Sequence, residues 1–444
     1  MKIALVLKIG FRNIFRQMKR TFSLGINFAI VSLLLVLIFS FSRGASQNVS
    51  LNLAKATSGY LNVAGEYIVQ GKSYIGVMEY PKVQRIIRET FGEGADSYPR
   101  YSVYTATYNK GISKRIRYYG IVPELEKTLA GQFTFVKGSW EAFAGDPDSI
   151  IVSKELADYF ELQDVAELTV SIRTRFGAFN TAVFKIAGVY TSSNFFVENL
   201  AISHFGRLQA LDLASPDTAS VIAVFFPDLK NLDKKRDALV EALNLGGYEA
   251  KKPKNASDAI NAVTAASPRS KAEKVGSPLV VRLTVTTLSE VLGILGNIIS
   301  VINYVGVFLA AILLLVTAVA IFINLRMSIN DRMREIGTMR TIGIGGRGIT
   351  LLFVFEGLIL SVLFVALGFV AAFVVIVLLK YGVAIPPKGA FSLLLERGHI
   401  VFLPHATDLL FVLLAIGFFA ALFSFIPARQ AGRIRPVEAL TRLE

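Results

Sequence analysis

From Thr21 to Ser42 the chain runs for twenty-two residues without a charge, most of them Leu, Ile, Val and Phe. Three more apolar runs follow, at Thr287–Leu325, Ile349–Leu379 and Leu409–Ile426. A helix rises about 1.5 Å per residue, so about 20 apolar residues cross the roughly 30 Å hydrocarbon layer of a bilayer. Inside that layer the backbone must satisfy its own hydrogen bonds, which makes each run a helix. The expected spans are 21–42, 284–325, 348–380 and 406–426. The second run is almost forty residues long and is read as a span with an outer extension joined rigidly to the domain before it. It is interrupted by Glu290 and by Asn297, Asn303 and Asn324. The first run could instead be a cleaved signal, with Ser42-Arg43-Gly44-Ala45 as a faint small-residue site. Its apolar stretch is too long for that, and other spans follow. A retained helix is expected.

Composition matters through the placement of charge. The formal charge is +14, which in a soluble protein would point towards nucleic acid. Here the excess sits in three short segments beside apolar runs. Residues 1–20 hold Lys2, Lys8, Arg12, Arg16, Lys19 and Arg20 with no acid. Segment 326–347 holds Arg326, Arg332, Arg334, Arg340 and Arg347 against Asp331 and Glu335. Segment 427–444 holds Arg429, Arg433, Arg435 and Arg442 against Glu438 and Glu444. That is positive-inside placement. It puts 1–20, 326–347 and the tail 427–444 in the cytoplasm, and 43–283 and 381–405 outside. No nucleic-acid partner is expected. Leu5, Ile9, Phe11 and Phe15 among the bases of 1–20 fit an amphipathic segment on the inner membrane surface.

Residues 43–283 are mixed in polarity, with enough apolar residues for a core. Runs at 65–70, 168–173, 182–190 and 221–226 read as strands. Stretches 81–91, 122–130, 153–160 and 232–243 read as helices, and 251–274 as exposed loop or irregular helix. Whether the domain has two lobes is left open. The fold class is therefore α-helical membrane protein, with four transmembrane helices and a large extracytoplasmic mixed α/β domain between the first and second.

Chemistry is sparse. There is no Cys and there are three His, at 204, 399 and 405, so thiol chemistry and a cysteine metal site are excluded and no metal centre is expected. No GxxxxGK[ST], HExxH or GxSxG occurs. Gly343–Gly348 reads as a turn, and His204 as a surface or interface residue. No catalytic residue is assigned, and the chain is not expected to be an enzyme. Glu356 stands in the third run, where a carboxylate is costly and faces protein or water. It is expected near the cytoplasmic end close to Arg347, anchoring helix packing with Gly357, while small residues such as Gly368 permit close contact.

The informative segment is 324–343. Ile329, Met333, Ile336 and Met339 recur at helical spacing. Arg332, Glu335 and Arg340 fall on or beside the other face, and Arg332 with Glu335 can pair at i,i+3. A short amphipathic helix on the inner membrane face is expected. It could dock in a cleft of a soluble partner and carry force to the spans. A plain basic loop that fixes topology would not need Ile, Met and Gly at these positions.

Asn330, Arg332, Arg334, Glu335, Ile336, Gly337, Arg340 and Gly343, continuing to Glu356, resemble the signature segment of the FtsX-like permease family of ABC transporters. That family includes lipoprotein-releasing permeases and macrolide-export-type transporters. Pro427-Ala428-Arg429 followed by Pro436, Val437, Glu438, Ala439 and Leu440 is a second match, and Arg12-Asn13 a third. The resemblance covers the membrane part, and the outer domain matches in size and position only. It implies a coupling helix made of Arg332, Met333, Glu335, Ile336, Gly337, Met339 and Arg340. It also implies a homodimer, or a pair with a paralogous permease, bound to ABC-type ATPase subunits in a bacterial inner membrane. ATP and Mg would sit on the ATPase, and no cofactor on this chain. Only twenty residues precede the first span, so the ATPase is expected on a separate chain. Lipoprotein release is the favoured work, with a periplasmic carrier or adaptor as partner. Export of a peptide, drug or glycolipid, regulation of a cell-envelope enzyme, and a plain membrane scaffold are the alternatives. For an acylated cargo in membrane lipid, residues near Phe39, Phe41, Leu288, Val291 and Leu292 are positional candidates.

Overall fold

The computed structural model describes residues 18–69, 72–162, 167–192, 194–255, 257–259, 280–383, 385, 394–396 and 398–434. Most of segment 1–20, most of 251–274 and the tail motif at Pro436–Leu440 lie outside the described residues. The chain forms two compact units. One holds Met1–Ser46, Ile299–Ile385 and His399–Glu444, the other Gln47–Ile298 and Pro386–Gly398. The helices used below are α1 (Met18–Leu53), α2 (Tyr80–Phe91), α3 (Leu232–Leu245), α4 (Gly293–Asp331), α5 (Met333–Thr341), α6 (Gly346–Gly382) and α7 (Ala406–Arg433).

In the first unit, α1, α4, α6 and α7 are each long and apolar enough to cross a membrane. Phe28, Val31, Leu35, Ile321, Leu360, Val365, Val412 and Ile416 pack into a shared interior. Phe308, Leu315, Leu378, Leu414 and Phe418 face outward and exposed, as side chains solvated by lipid tails do. Close helix contact rests on small residues. A Cβ on Gly346 would lie 2.2 Å from the Gly432 carbonyl oxygen, and one on Gly432 2.5 Å from that of Gly346. At Gly357 it would lie 2.9 Å from Ser424 Oγ. Residues 42–45 lie inside α1, where Ser42 hydrogen-bonds Asn303 and Arg43 pairs with Asp408 at 2.7 Å. Asn324 donates to the Ala320 carbonyl at 2.9 Å.

Two boundaries differ from expectation. The fourth helix was expected to stop before Pro427, but α7 runs through it to Arg433. Proline inside a helix costs about 3 kcal/mol. The last turns offset this by burying Ala428, Ala431 and Gly432, and Thr350 Oγ1 donates to the Ala428 carbonyl at 3.3 Å. The second span was expected as helix from 284, but residues 284–287 complete a strand, Val280–Thr287. Thr287 then caps a short turn, Leu288–Val291, in a reciprocal capping box with Glu290. Glu290 also takes a hydrogen bond from Arg236 at 2.5 Å, so its charge belongs to the domain's own fold.

Among the described residues the second unit carries a twelve-stranded sheet: β1 (Leu61–Val69), β2 (Lys72–Ile75), β3 (Asp96–Asn109), β4 (Ile112–Ile121), β5 (Thr134–Gly138), β6 (Ser149–Ser153), β7 (Glu167–Arg173), β8 (Phe179–Thr191), β9 (Leu200–His204), β10 (Val221–Phe225), β11 (Glu249–Lys251) and β12 (Val280–Thr287). The main path runs β11-β12-β1-β10-β3-β4-β9-β6-β8-β5, with β2 on β1 and β7 bridging β3 and β8. Alternation is clear in β7, where Leu168, Val170 and Ile172 are buried and Glu167, Thr169 and Arg173 exposed. Among the described residues the strands serve three cores, one of them gathering Tyr119, Ile121, Ile151, Tyr190 and Ile202. A second gathers Leu61, Val63, Ile222, Val224, Leu283 and Val285 with Val83 and Ile87 of α2 and Leu239 and Leu243 of α3. The third gathers Tyr118, Ile150, Val152, Leu168, Val170, Ile172 and Phe184. β3 links the strands of these last two, pairing β10 through Asp96–Arg100 and β4 through Tyr101–Asn109. Of the stretch expected as helix at 122–130, only Lys127–Ala130 is helical.

Candidate coupling site

The second span ends at Asp331, and Arg332 turns the chain into α5 with backbone angles of φ −96° and ψ 15°. The far end of α5 closes in a Schellman arrangement. Ile344 N–H donates to the Met339 carbonyl at 3.0 Å and Gly343 N–H to that of Arg340 at 3.1 Å. Gly343 takes φ +93°, which glycine adopts without a Cβ clash. Arg340 lies in the last turn, where a cation favours the helix dipole. A nine-residue helix with both ends defined is thus held between two membrane-length helices.

Its faces divide sharply. Ile336 and Gly337 are buried, and Ile336 joins Leu325, Ile329, Ile349, Phe353, Ala428 and Ala431 in a core at this end of the bundle. Met333, Met339 and Arg340 are half-buried, while Arg334, Glu335, Thr338, Thr341 and Ile342 are exposed. Ile342 is 82% exposed, an apolar side chain held out at the end of a charged helix.

Arg332 differs from its expected place. It does not lie on the polar face with Glu335 but is 4% exposed. Its Nη1 donates to Glu356 Oε2 at 2.9 Å, and its guanidinium lies 6.0 Å from the Phe353 ring centre. This corrects the expectation for Glu356 as well: its partner is Arg332, twenty-four residues upstream, and not Arg347, which is exposed. The physical reason is desolvation. A buried carboxylate needs a buried cation, and Arg332 is the arginine that the elbow carries inward. Of the seven residues expected to couple, four offer surface: Glu335 fully, Met333, Met339 and Arg340 in part. Arg332, Ile336 and Gly337 hold the helix to its own bundle. Thr338 and Ile342 were not singled out from the sequence, and Arg334 entered only through the family resemblance and not among the coupling residues.

Elsewhere, His204 Nε2 lies 2.7 Å from the Phe143 carbonyl oxygen, a structural contact. Among the described residues no group of three or more His, Asp or Glu is placed to hold a metal ion. Phe39 stacks edge-on against Phe411, and Phe41 packs on Phe402. Leu288 and Val291 are buried with Leu53 and Ala54 in the second unit, so these two do not form an open acyl-binding surface.

Among the described residues, four membrane-length helices, a large α/β domain inserted after the first, and a short helix anchored between the second and third give the layout of a multi-pass membrane protein. Residues 307–436 match the FtsX-like permease C-terminal domain, and over that stretch the chain is similar to the FtsX-like permeases. The macrolide export ATP-binding/permease protein MacB of Hahella chejuensis is 28% identical over 134 residues, which is 30% of this chain and 18% of that protein. The match thus spans under a fifth of the relative's length. The periplasmic region of MacB from Actinobacillus actinomycetemcomitans aligns with 43% of this chain and 86% of its own length, at 12% identity and a TM-score of 0.31. The extracellular domain of the ABC-type transporter YknZ from Gram-positive bacteria aligns with 41% of this chain and 94% of its own length, at 11% identity and a TM-score of 0.28. Likenesses this loose carry no weight for function.

Proposed function

We propose that this chain is the permease subunit of a mechanotransmission-type ABC transporter in a bacterial inner membrane, with both termini cytoplasmic. ATP hydrolysis on separate ABC-type ATPase subunits, which hold ATP and Mg, drives α5. The anchored face of α5 passes the stroke to the spans, and the spans move the extracytoplasmic domain. Two permeases, identical or paralogous, make the working unit. The observation that carries this reading is the division of α5: Ile336 and Gly337 fasten it to the bundle while Arg334, Glu335, Thr338 and Ile342 stand free to dock. Reversing charge at Arg340 or Glu335 (Arg340→Glu, Glu335→Lys) is expected to abolish transport-coupled ATPase stimulation with protein level unchanged. Normal stimulation in both variants sinks the reading.

The work we infer is release of acylated lipoproteins from the outer leaflet, supported by the single large domain on a four-span chain. Export of a peptide, drug or glycolipid through a periplasmic adaptor is the second reading, favoured by the similarity to a macrolide export protein. Pull-down from native membranes with mass spectrometry separates them. An ATPase with triacylated lipoproteins supports release, and an ATPase with an adaptor and an outer-membrane channel supports export.

A further inference from the structure

Beside the Arg332–Glu356 pair all four spans line a partly open cavity of about 30 Å³. Its wall includes Leu24 of α1, Asn324 and Ser328 of α4, Glu356 and Gly357 of α6, and Ser424 of α7. One water molecule needs a cavity of roughly 10–15 Å³ and two to four polar partners, whereas apolar cavities of larger size stay dry. The wall here is more apolar than polar, but Asn324, Ser328, Arg332, Glu356 and Ser424 set several polar groups into it. Two of its wall residues each bury a polar atom without a hydrogen-bond partner among the described residues: Arg332 Nε and Ser424 Oγ. Ser424 is 1% exposed, so bulk solvent does not serve it. The space is kept open by position 357, where a Cβ would press to 2.9 Å from the Ser424 hydroxyl.

We propose that this cavity is a built water site. A bound water accepts from Arg332 Nε–H and from the Ser424 hydroxyl, and donates to the Glu356 carboxylate. The guanidinium is then held from two directions, directly through Nη1 and through water at Nε. Ser424 becomes a positioning residue that ties α7 into the joint between α4 and α6. The elbow before α5 is fixed by a small ionic, hydrated network in place of a dry salt bridge. A hydrated network can exchange partners as helices shift, which a close-packed apolar contact cannot do without opening a void. The site is complete within the membrane unit, so the assignment stands or falls independently of any ATPase.

The test uses the full-length permease in lipid nanodiscs without ATPase. A high-resolution map is expected to show ordered density within hydrogen-bond distance of Arg332 Nε and Ser424 Oγ. Ser424→Ala, which removes one partner of the water, is expected to lower the melting temperature. Ser424→Val, which fills the space and strands Arg332 Nε, is expected to lower it further, by about 2–4 °C. Ser424→Thr, which keeps the hydroxyl, is expected to melt near wild type. An empty cavity in the map overturns the assignment. So does a Val variant that melts at or above wild type, because filling a dry void stabilises.

Discussion

At the scale of single residues the most consequential feature is the buried pair of Arg332 and Glu356. Removing one partner of such a pair leaves an uncompensated charge and costs about 3–5 kcal/mol, whereas replacing both with apolar groups is often neutral. Glu356→Ala is therefore expected to destabilise the membrane unit by that order, and Arg332→Met with Glu356→Leu to recover most of the loss. Thermal melting of the purified variants checks both. A double variant no better than Glu356→Ala would show that the pair is not the source of the cost. The same logic applies in the second unit, where Arg100 Nε donates to Glu126 Oε1 at 2.6 Å and neither side chain is more than 1% exposed. The sequence signalled that Glu356 needed company, because a carboxylate in an apolar run is expensive. It did not reveal the partner. Arg347 was near in sequence, but the contact crosses a turn and a whole helix, and nothing in spacing records which arginine of a basic loop is carried inward.

At the scale of elements the short helix α5 was legible because its periodicity, its basic residues and its glycine stop agree with one another. Its boundaries were less so. The long helix α4 runs on to Asp331 because no breaker stands before the elbow at Arg332. The start of that span was obscured because a strand and a membrane helix are both apolar, and only the Thr287–Glu290 capping signal separates them. Pro427 misled in the opposite sense: packing overrode a local breaker. That packing makes a clean prediction. Gly432 meets the Gly346 backbone, which cannot swing aside as a side chain can, whereas a Cβ on Gly417 of the same helix would meet only Leu358 Cδ2, at 4.0 Å. Gly432→Ala is expected to destabilise by about 1–3 kcal/mol through overpacking. Gly417→Ala is expected to be neutral or slightly stabilising, since alanine is the better helix former. Melting curves of the two variants side by side test the crossing, and equal curves would rule out a tight contact there.

At the scale of the whole molecule the division into membrane helices and one inserted domain was plain in the hydropathy, but the separate cores of the domain were not. β3 pairs with strands on both sides of one boundary without a linker, so no change of composition marks it. Orientation in the membrane rests on charge. The proposed topology puts α5 inside because of the basic excess of 326–347, and the first span would then carry the domain outside. The chain has no cysteine, so single cysteines report sidedness without background. Leu245 at the end of α3 and Ile342 beyond α5 are both more than 80% exposed, which removes burial as a reason for failure to label. In intact spheroplasts a membrane-impermeant maleimide is expected to label Leu245→Cys and to spare Ile342→Cys. After permeabilisation both should react. With the cognate ATPase present, Ile342→Cys should again be protected while Leu245→Cys is not, because the docking face is covered. Labelling of Ile342→Cys in intact cells would invert the topology and with it the site of ATPase contact. Correct sidedness without protection would leave the topology standing and remove Ile342 from the docking surface.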